Sequence, residues 1–435
     1  MTVEPAFVEH PQRREIVGEM HLRRFPAFVV PAQAIQFVRL VDQQQRTDEE
    51  IALAKLPGES GSIGQRHREG RWSFDVRGSW ERHSEASTAT VTLTGSAMET
   101  IGWGRPGSFD GAAALGWAET LPGGVIRATR LIIVADDDEA LHFVSTAEFR
   151  PSHLISCHVA GGARIWSDFR IHEDGYGRIV IAANGLPEAE LVSCVQRLQE
   201  LGNYRNLALL GLPVAQAAWP RLDGIERMLG DTGRALLSGD RRDDDLLAAL
   251  TAHSEELLSI AADTDFRMSA TAAYAVIVAD RLRELQVQPI RGFQSLADFT
   301  GRRFNPAVRT CAALTQRLAL LNGRAAQFTS LLRTRIETHI ENQNGRLLAS
   351  MDRSARMQLR LQHLVEGLSA VAISYYLIGL ISYPLKAAEH VWSGVSPTAI
   401  LGVVAPLIVL AVWAGLQIMR RRLVYEDDKP SQEGA

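Results

Sequence analysis

The sequence predicts an α+β cytosolic domain, followed by a helical region with a long helix and a C-terminal two-helix transmembrane hairpin. Three patterns support this fold class. Segments rich in β-branched and aromatic residues are mixed with helical patterns in the first half, an apolar stripe of helical period follows, and two uncharged segments come last. The predicted regions are an α/β domain (1–237), a helical region (238–304), the long helix (305–366), two transmembrane helices (367–385 and 395–419) and a cytoplasmic tail (420–435).

The first predicted region contains both helices and strands. Helices are predicted over Glu9–Arg24 and Thr47–Leu56, and amphipathic helices over Glu188–Ala208 and Pro213–Leu229. Strands are predicted over Ala34–Val41, Arg71–Arg77, Thr88–Thr94, Arg127–Ala135, Leu141–Phe149, Arg164–Ile171 and Gly177–Ala182. The last two strands form a predicted hairpin with a glycine turn. After the polar boundary Ser238–Asp243, two more helices are predicted over Leu246–Ala262 and Ser269–Leu285.

The long helix is predicted to begin at Asn305-Pro306, with Asn as N-cap and Pro at the first helical position. An apolar stripe then follows the period of helices that wrap a partner helix, at Leu314, Leu318, Leu321, Ala325, Phe328 and Leu332. The stripe continues through Ile336, Ile340, Leu347, Met351, Leu361, Leu364 and Leu368. Its partner is either another copy of the chain or a helix of the same chain, such as Leu246–Ala262.

Two segments near the C-terminus are long and apolar enough to cross a bilayer. Gly367–Leu385 and Val395–Met419 lack charged residues, and the link Lys386–Gly394 allows only a tight hairpin. Arginines flank both segments on their outer sides, whereas the link contains one lysine. The positive-inside rule therefore predicts that both termini lie in the cytoplasm. The predicted contacts to anionic lipid headgroups are Arg353, Arg356, Arg360, Arg420, Arg421 and Arg422.

Composition excludes several classes of function. The net charge of −4 argues against a nucleic-acid binder. Three cysteines lie far apart without metal-site spacing, as expected in a reducing compartment, and Met1–His10 lacks the features of a signal peptide. The sequence contains neither a phosphate-binding loop nor a nucleophile elbow. We therefore predict no cofactor and no catalytic residue.

One cluster near the N-terminus offers potential metal ligands. Glu9, His10, Glu19 and His21 provide carboxylate oxygens and imidazole nitrogens within a short segment. The alternative, which we favour, is that Glu19 and His21 cap or pair at the end of the first predicted helix.

Ten short segments of the chain carry a family resemblance. They are Glu9-His10-Pro11, Glu19-Met20-His21, Asp168-Phe169-Arg170, His172-Glu173-Asp174-Gly175, Tyr204-Arg205 and, on the long helix, Leu331–Arg335, Leu347–Arg353, Gln358–Gln362, Val365–Ser369 and Ala372–Tyr376. They resemble the DUF3422 family of uncharacterised bacterial membrane-anchored proteins. These segments span almost the whole chain. The resemblance implies attachment to a bacterial inner membrane and implies no reaction.

The layout of the chain also resembles that of CorA-type divalent-cation channels. Those channels carry Gly-Met-Asn at the end of the first span, where this sequence has Ser382-Tyr383-Pro384. The candidate pore or packing face is Ala372, Tyr375, Gly379, Ser382 and Tyr383, and we favour packing because most of its residues are small.

Two main classes of function therefore remain. An enzyme is a third class, because the α/β part could contain a site that no motif reveals. We favour a membrane-anchored, non-enzymatic cytosolic module that contacts the lipid bilayer and forms a homo-oligomer through its long helix. The alternative is an oligomeric channel or transporter of divalent cations. Neither reading involves nucleic acid.

Overall fold

A computed structural model of the protein describes residues 7, 10–13, 16–17, 25–58, 66–95, 102–388 and 397–427. For residues 388, 397 and 419–427 it describes the backbone alone. The chain divides into two units, Met1–Ser330 and Leu331–Ala435. The prediction of a helix over Glu9–Arg24 falls largely outside the described residues.

The described strands form one mixed sheet in the first unit. In chain order they are β1 (Ala32–Leu40), β2 (His67–Arg71), β3 (Val76–Arg82), β4 (Ala86–Thr94), β5 (Gly124–Val134), β6 (Ile155–Val159), β7 (Ala163–Ser167), β8 (Gly177–Ala182) and β9 (Gln288–Pro289). Their order across the sheet is β2-β3-β4-β1-β5-β8-β7-β6-β9. The neighbouring pair β5 and β8 is parallel, and the other neighbouring strands of this sheet are antiparallel. The predicted α+β class is therefore confirmed.

Helices lie on both faces of this sheet and continue into the C-terminal half. They are α1 (Gln45–Leu53), α2 (Phe109–Thr120), α3 (Asp137–Thr146), α4 (Glu188–Leu209), α5 (Gly211–Ser238), α6 (Asp243–Glu284), α7 (Leu296–Ala388) and α8 (Pro397–Asp427). Helices α1 and α2 share a buried apolar cluster with one face of β1, β3 and β4, and α3 shares another with the same face of β5 and β8. Helix α4 packs on the opposite face. The sheet is therefore the middle of three layers.

The alternation of side chains along β1 and β5 explains how both faces become covered. Ile35 and Phe37 of β1 belong to the cluster with α1 and α2, whereas Ala32 and Ala34 belong to the cluster with α4. Successive strand residues point to opposite faces, so a strand with apolar residues at consecutive positions can be buried on both sides. The central strands therefore differ from those of a sheet that has one face exposed to solvent.

The prediction of a strand over Leu141–Phe149 is wrong, because this region forms helix α3. The backbone N–H of Glu139 donates to the Asp136 carboxylate at 3.0 Å, and the Glu139 carboxylate accepts from the N–H of Ala135 at 3.1 Å. This reciprocal cap and the acidic first turn favour a helix start. Phe143, Val144 and Thr146, whose residue types favour a strand, lie inside the helix that these acids initiate.

Three other predicted elements, one strand and two helices, differ from the structure. The predicted strand Arg71–Arg77 covers the turn between β2 and β3, with only its ends in strands. The two helices predicted over Leu246–Ala262 and Ser269–Leu285 are one continuous helix, α6. No proline or glycine occurs within α6, so nothing in the polar stretch between the two predicted helices breaks the backbone pattern. The predicted hairpin of β7 and β8 is confirmed.

The long helix begins at Leu296, so the prediction of a start at Asn305-Pro306 is wrong. The Ser295 hydroxyl accepts from the N–H of Asp298 at 3.1 Å and donates to its carboxylate at 2.7 Å, which caps the helix. Pro306 therefore lies inside α7.

The first part of the apolar stripe is buried, as predicted, and one partner is α5 of the same chain. Leu314 and Leu321 are fully buried. The ring of Phe328 lies against Gly233 of α5, where an added Cβ would be 2.6 Å from the ring. Arg317 of α7 also forms an ion pair with Asp223 of α5 at 2.6 Å. The open choice between another copy and the same chain is thus resolved in favour of the chain itself for this segment.

The second unit contains the rest of α7 and all of α8. Within the described residues, α7 and α8 each contain a segment long and apolar enough to cross a membrane, and little of either segment is buried within the protein. The stripe residues Leu347, Met351, Leu361, Leu364 and Leu368 are all exposed. The stripe therefore has a buried first part, which ends at Leu332, and an exposed part from Leu347 onward.

Candidate functional site

A polar layer lies between the sheet and α4, where an apolar core is expected. On β4, Thr88, Thr90 and Thr92 are buried, and they alternate with the apolar residues that face α1 and α2. Arg127 and Thr129 of β5 are buried as well. Buried polar groups are costly unless they are hydrogen-bonded, so each of these side chains requires partners.

Arg127 is at the centre of this layer and is held by neutral amides. Its Nη1 donates to Gln36 Oε1 at 3.2 Å and to Asn203 Oδ1 at 2.7 Å, and its Nη2 donates to Gln199 Oε1 at 2.7 Å. The amides are themselves fixed, since Gln36 donates to Thr90 at 2.9 Å. Within the described ranges, no carboxylate forms an ion pair with Arg127. Burial, with the nearby charge of Arg205, lowers the pKa of Arg127 to about 9.

Gly202 of α4 makes room for the Arg127 guanidinium. A Cβ at this position would lie 2.6 to 2.8 Å from three guanidinium atoms of Arg127. Contacts this short do not occur, so any larger residue would displace the arginine from its amide partners. The helix thus approaches the strand at a glycine because a buried cation lies between them.

Arg205 is the second buried arginine of the region and has fewer polar contacts. It is 9 % exposed. Its guanidinium carbon lies 4.8 Å from the ring centroid of Phe169 and 5.4 Å from that of Phe299, and these two rings stack at 5.1 Å. Among the described residues, its Nη1 has no hydrogen-bond partner and no carboxylate pairs with it. Burial lowers the pKa of Arg205 to about 10.

Both arginines border one cavity of about 140 Å³. The cavity lies between β5, the segment that joins β7 to β8, and the C-terminal part of α4. Its polar lining includes Thr129, Ser167, Arg170 and Asn206, and no aspartate or glutamate of the described chain is part of it. The wall is therefore rich in donors and positive charge.

The segment between β7 and β8 is fixed by its own hydrogen bonds. The Asp168 carboxylate is buried and accepts from the backbone N–H of Arg170 at 3.1 Å, and its other oxygen accepts from the N–H of Arg150 at 3.4 Å. The Ser167 hydroxyl donates to the carbonyl of Arg178 at 2.8 Å. The Phe169 ring that covers Arg205 thus projects from a turn whose conformation is fixed by these hydrogen bonds.

A second cluster of charges occupies the other face of the sheet, but its charges are balanced. Asp174 lies 3.4 Å from both Arg130 and Arg178, and the Arg130 guanidinium carbon lies 4.0 Å from the Tyr176 ring centroid. The Tyr176 hydroxyl donates to Glu119 at 3.2 Å. Because a carboxylate neutralises these arginines, this cluster requires no ligand and is a structural network.

The predicted site residues have different outcomes. Of the four candidate metal ligands, His10 is described and exposed, whereas Glu9, Glu19 and His21 lie outside the described residues. In the part of the chain that the structure describes, no three His, Cys, Asp or Glu side chains are grouped as metal ligands. Arg353, Arg356 and Arg360 are exposed, and Arg356 pairs with Asp352 at 2.8 Å. The side chains of Arg420, Arg421 and Arg422 are outside the described set.

On the candidate pore or packing face, Ala372, Tyr375 and Tyr383 are exposed, and Gly379 and Ser382 are half-buried. The Ser382 hydroxyl donates to the carbonyl of Gly379 at 2.6 Å, within its own helix.

The arginine cavity was not among the predicted sites, although three segments quoted for the family resemblance meet there. Phe169 and Arg170 come from one segment, Gly175 from the next and Arg205 from the third, and all four line the cavity. The sequence does contain one signal for this cavity, because polar residues occupy alternate positions of a predicted strand, as at Arg127 and Thr129.

The model of one protein family matches residues 8–423, and its description is a protein of unknown function, DUF3422. This match covers nearly the whole chain. The chain belongs to the DUF3422 family. Neither the curated proteins nor the solved structures include a significant match. The family resemblance noted from the sequence is therefore confirmed.

Proposed function

We propose that this DUF3422 protein is a non-enzymatic module anchored in the bacterial inner membrane by the end of α7 and by α8. Both termini face the cytoplasm in this proposal, and copies of the chain associate through α7. The observation that supports it is an exposed apolar run on α7 that leads directly into the first apolar segment. Lipid is the medium that such a segment prefers.

The run consists of Met357, Leu361, Leu364, Leu368 and Val371, at alternating spacings of four and three. Each of these side chains is exposed by 59 % or more. The same periodicity in the first part of α7 is buried, for example at Leu314 and Leu321. Burying one such side chain contributes about 1.5–3 kcal/mol, so an exposed run of five favours association.

A second copy of the same chain fits this run better than an unrelated helix does. Copies anchored in one bilayer enter it at the same residue and from the same side, which aligns their α7 helices in parallel and in register. Parallel helices with apolar residues at this spacing pack knobs into holes along one seam. Arg353 and Arg360 lie beside the seam, where anionic headgroups would offset their mutual repulsion at about 1 kcal/mol per arginine.

The mass of the full-length protein in detergent tests this association. We expect an oligomer for the natural chain and a smaller mass for Leu361→Asp, because an aspartate at the seam would be desolvated without a partner. Leu359→Asp is the matched control, since Leu359 is 55 % exposed and lies on the opposite side of the helix. A monomeric natural chain, or equal loss of mass in both variants, would contradict the proposal.

The alternative is an oligomeric cation channel, and the composition of the first apolar segment argues against it. Gly367–Leu385 contains no carboxylate that would concentrate cations, and the side-chain oxygens it offers are neutral hydroxyls. Liposomes with the purified protein are expected to take up no more Mg²⁺ or Co²⁺ than empty liposomes. Uptake that disappears in Tyr375→Leu would favour the channel instead.

A further inference from the structure

We propose that the cavity between Arg127 and Arg205 binds a small oxyanion with about two negative charges, of which inorganic phosphate is the simplest. This site is independent of the membrane anchor and of association through α7. It assigns a ligand class to the first unit, for which neither the sequence motifs nor the family description names one.

The first argument is the balance of charge. Arg127 and Arg205 are both buried, and the described residues provide neither of them with a carboxylate. Buried cations are normally paired, because their removal from water is costly. The neighbouring arginines Arg130 and Arg178 follow that rule through Asp174. The exception at Arg127 and Arg205 is explained if their counterion is a bound molecule.

The second argument is the geometry of unused donors. Arg205 lines the cavity, and its Nη1 is buried without a hydrogen-bond acceptor among the described residues. Three amide contacts occupy part of the Arg127 donor set and hold its plane in one orientation. A guanidinium offers five N–H donors in a fixed fork that matches the oxygens of phosphate and carboxylate. The site is thus organised before a ligand arrives.

The third argument is the size and chemistry of the space. A cavity of about 140 Å³ holds a few water molecules or one phosphate-sized group. Its lining adds Thr129, Arg170 and the amide of Asn206 to the two arginines, whereas the Ser167 hydroxyl already donates to the Arg178 carbonyl. The aromatic rings of Phe169 and Phe299 cover one side of Arg205, which fixes this guanidinium by cation–π contact. A small polar anion fits this lining better than an apolar ligand does.

The test is titration calorimetry of the full-length protein in detergent with inorganic phosphate, at ionic strength held constant with chloride. We expect saturable binding that Arg205→Gln weakens about tenfold or more, as expected for the loss of a charge-assisted hydrogen bond. Arg346→Gln, at an exposed position of α7, is the control and should leave phosphate binding unchanged. A small dicarboxylate, titrated in parallel, distinguishes a phosphate site from a carboxylate site within the same class.

A second variant keeps the test informative if Arg205→Gln folds poorly. Asn206→Asp is nearly isosteric and places a carboxylate at the cavity wall, where it would supply the missing counterion. We expect this variant to unfold at a higher Tm than the natural chain without ligand and to lose the rise in Tm that phosphate causes. The proposal is overturned if the natural chain binds neither phosphate nor the dicarboxylate, or if Arg205→Gln and Asn206→Asp bind them as the natural chain does.

Discussion

The guanidinium of Arg205 lies over the ring of Phe169, with its carbon 4.8 Å from the ring centroid. Arg205 comes from the C-terminal part of α4, and Phe169 comes from the turn between β7 and β8. The contact therefore joins the helical layer to the sheet at the cavity. It also fixes the orientation of a buried cation that no described carboxylate neutralises.

The close approach of α4 to Arg127 makes Gly202 sensitive to substitution. Gly202→Ala places a Cβ within 2.8 Å of the guanidinium, which cannot move without breaking its bonds to Gln199 and Asn203. We expect a loss of about 1–3 kcal/mol in the free energy of unfolding, as for other overpacked sites. Chemical denaturation of the full-length chain in detergent measures it.

Gly224→Ala is the matched control for Gly202→Ala. Gly224 also lies within a helix, and an added Cβ there would meet nothing within 4 Å. Alanine is favoured over glycine in a helix by about 0.5–1 kcal/mol, so this variant should be slightly more stable than the natural chain. Equal effects of the two substitutions would show that packing against Arg127 does not matter.

His253 gives the first unit a pH dependence of known sign. Burial lowers its pKa in the folded state, and its Nε2 lies 3.2 Å from the Thr232 hydroxyl. The unfolded chain then binds a proton at a higher pH than the folded chain, so stability falls as the pH drops through the ordinary histidine value of about 6.5. We expect the natural chain to lose more stability between pH 8 and pH 5 than His253→Gln does. Parallel losses in both would refute this role of His253.

The proposed topology is tested with reporter fusions. Alkaline phosphatase, which is active only outside the cytoplasm, should be inactive when fused after Ala435 and active when inserted after Ala388. A fluorescent protein that matures in the cytoplasm should give the reverse pattern. Phosphatase activity after Ala435 would place the C-terminus outside and invalidate the arginine-based orientation.

Much of the fold follows from local patterns in the sequence. The strand predictions over Ala34–Val41 and Thr88–Thr94 agree with β1 and β4, and the helix prediction over Glu188–Ala208 agrees with α4. The strand prediction over Leu141–Phe149 is wrong because the acidic cap at Asp136 decides the structure there, although the β-branched and aromatic residues favour a strand. The predicted start of α7 is wrong for a similar reason, since Ser295 caps the helix and Pro306 is tolerated inside it.

The arginine cavity could not be predicted in the same way. Arg127 and Arg205 lie on different elements, and their proximity depends on how α4 crosses β5. No local pattern distinguishes a buried arginine without a carboxylate from a paired one such as Arg178. The partner of the apolar stripe was also open, because the spacing at Leu314 and Leu361 is alike although one residue is buried and the other exposed.

The most direct test of the proposed module is disulfide cross-linking between copies in native membranes. Leu361→Cys should form a covalent dimer under mild oxidation, because parallel copies place this seam position opposite itself. Leu359→Cys, on the opposite side of α7, should remain monomeric. The natural Cys157, Cys194 and Cys311 are buried, and burial raises the pKa of the Cys157 thiol to about 11, so their background reaction is expected to be low. Absence of the Leu361→Cys dimer, or equal cross-linking at both positions, would contradict association through α7.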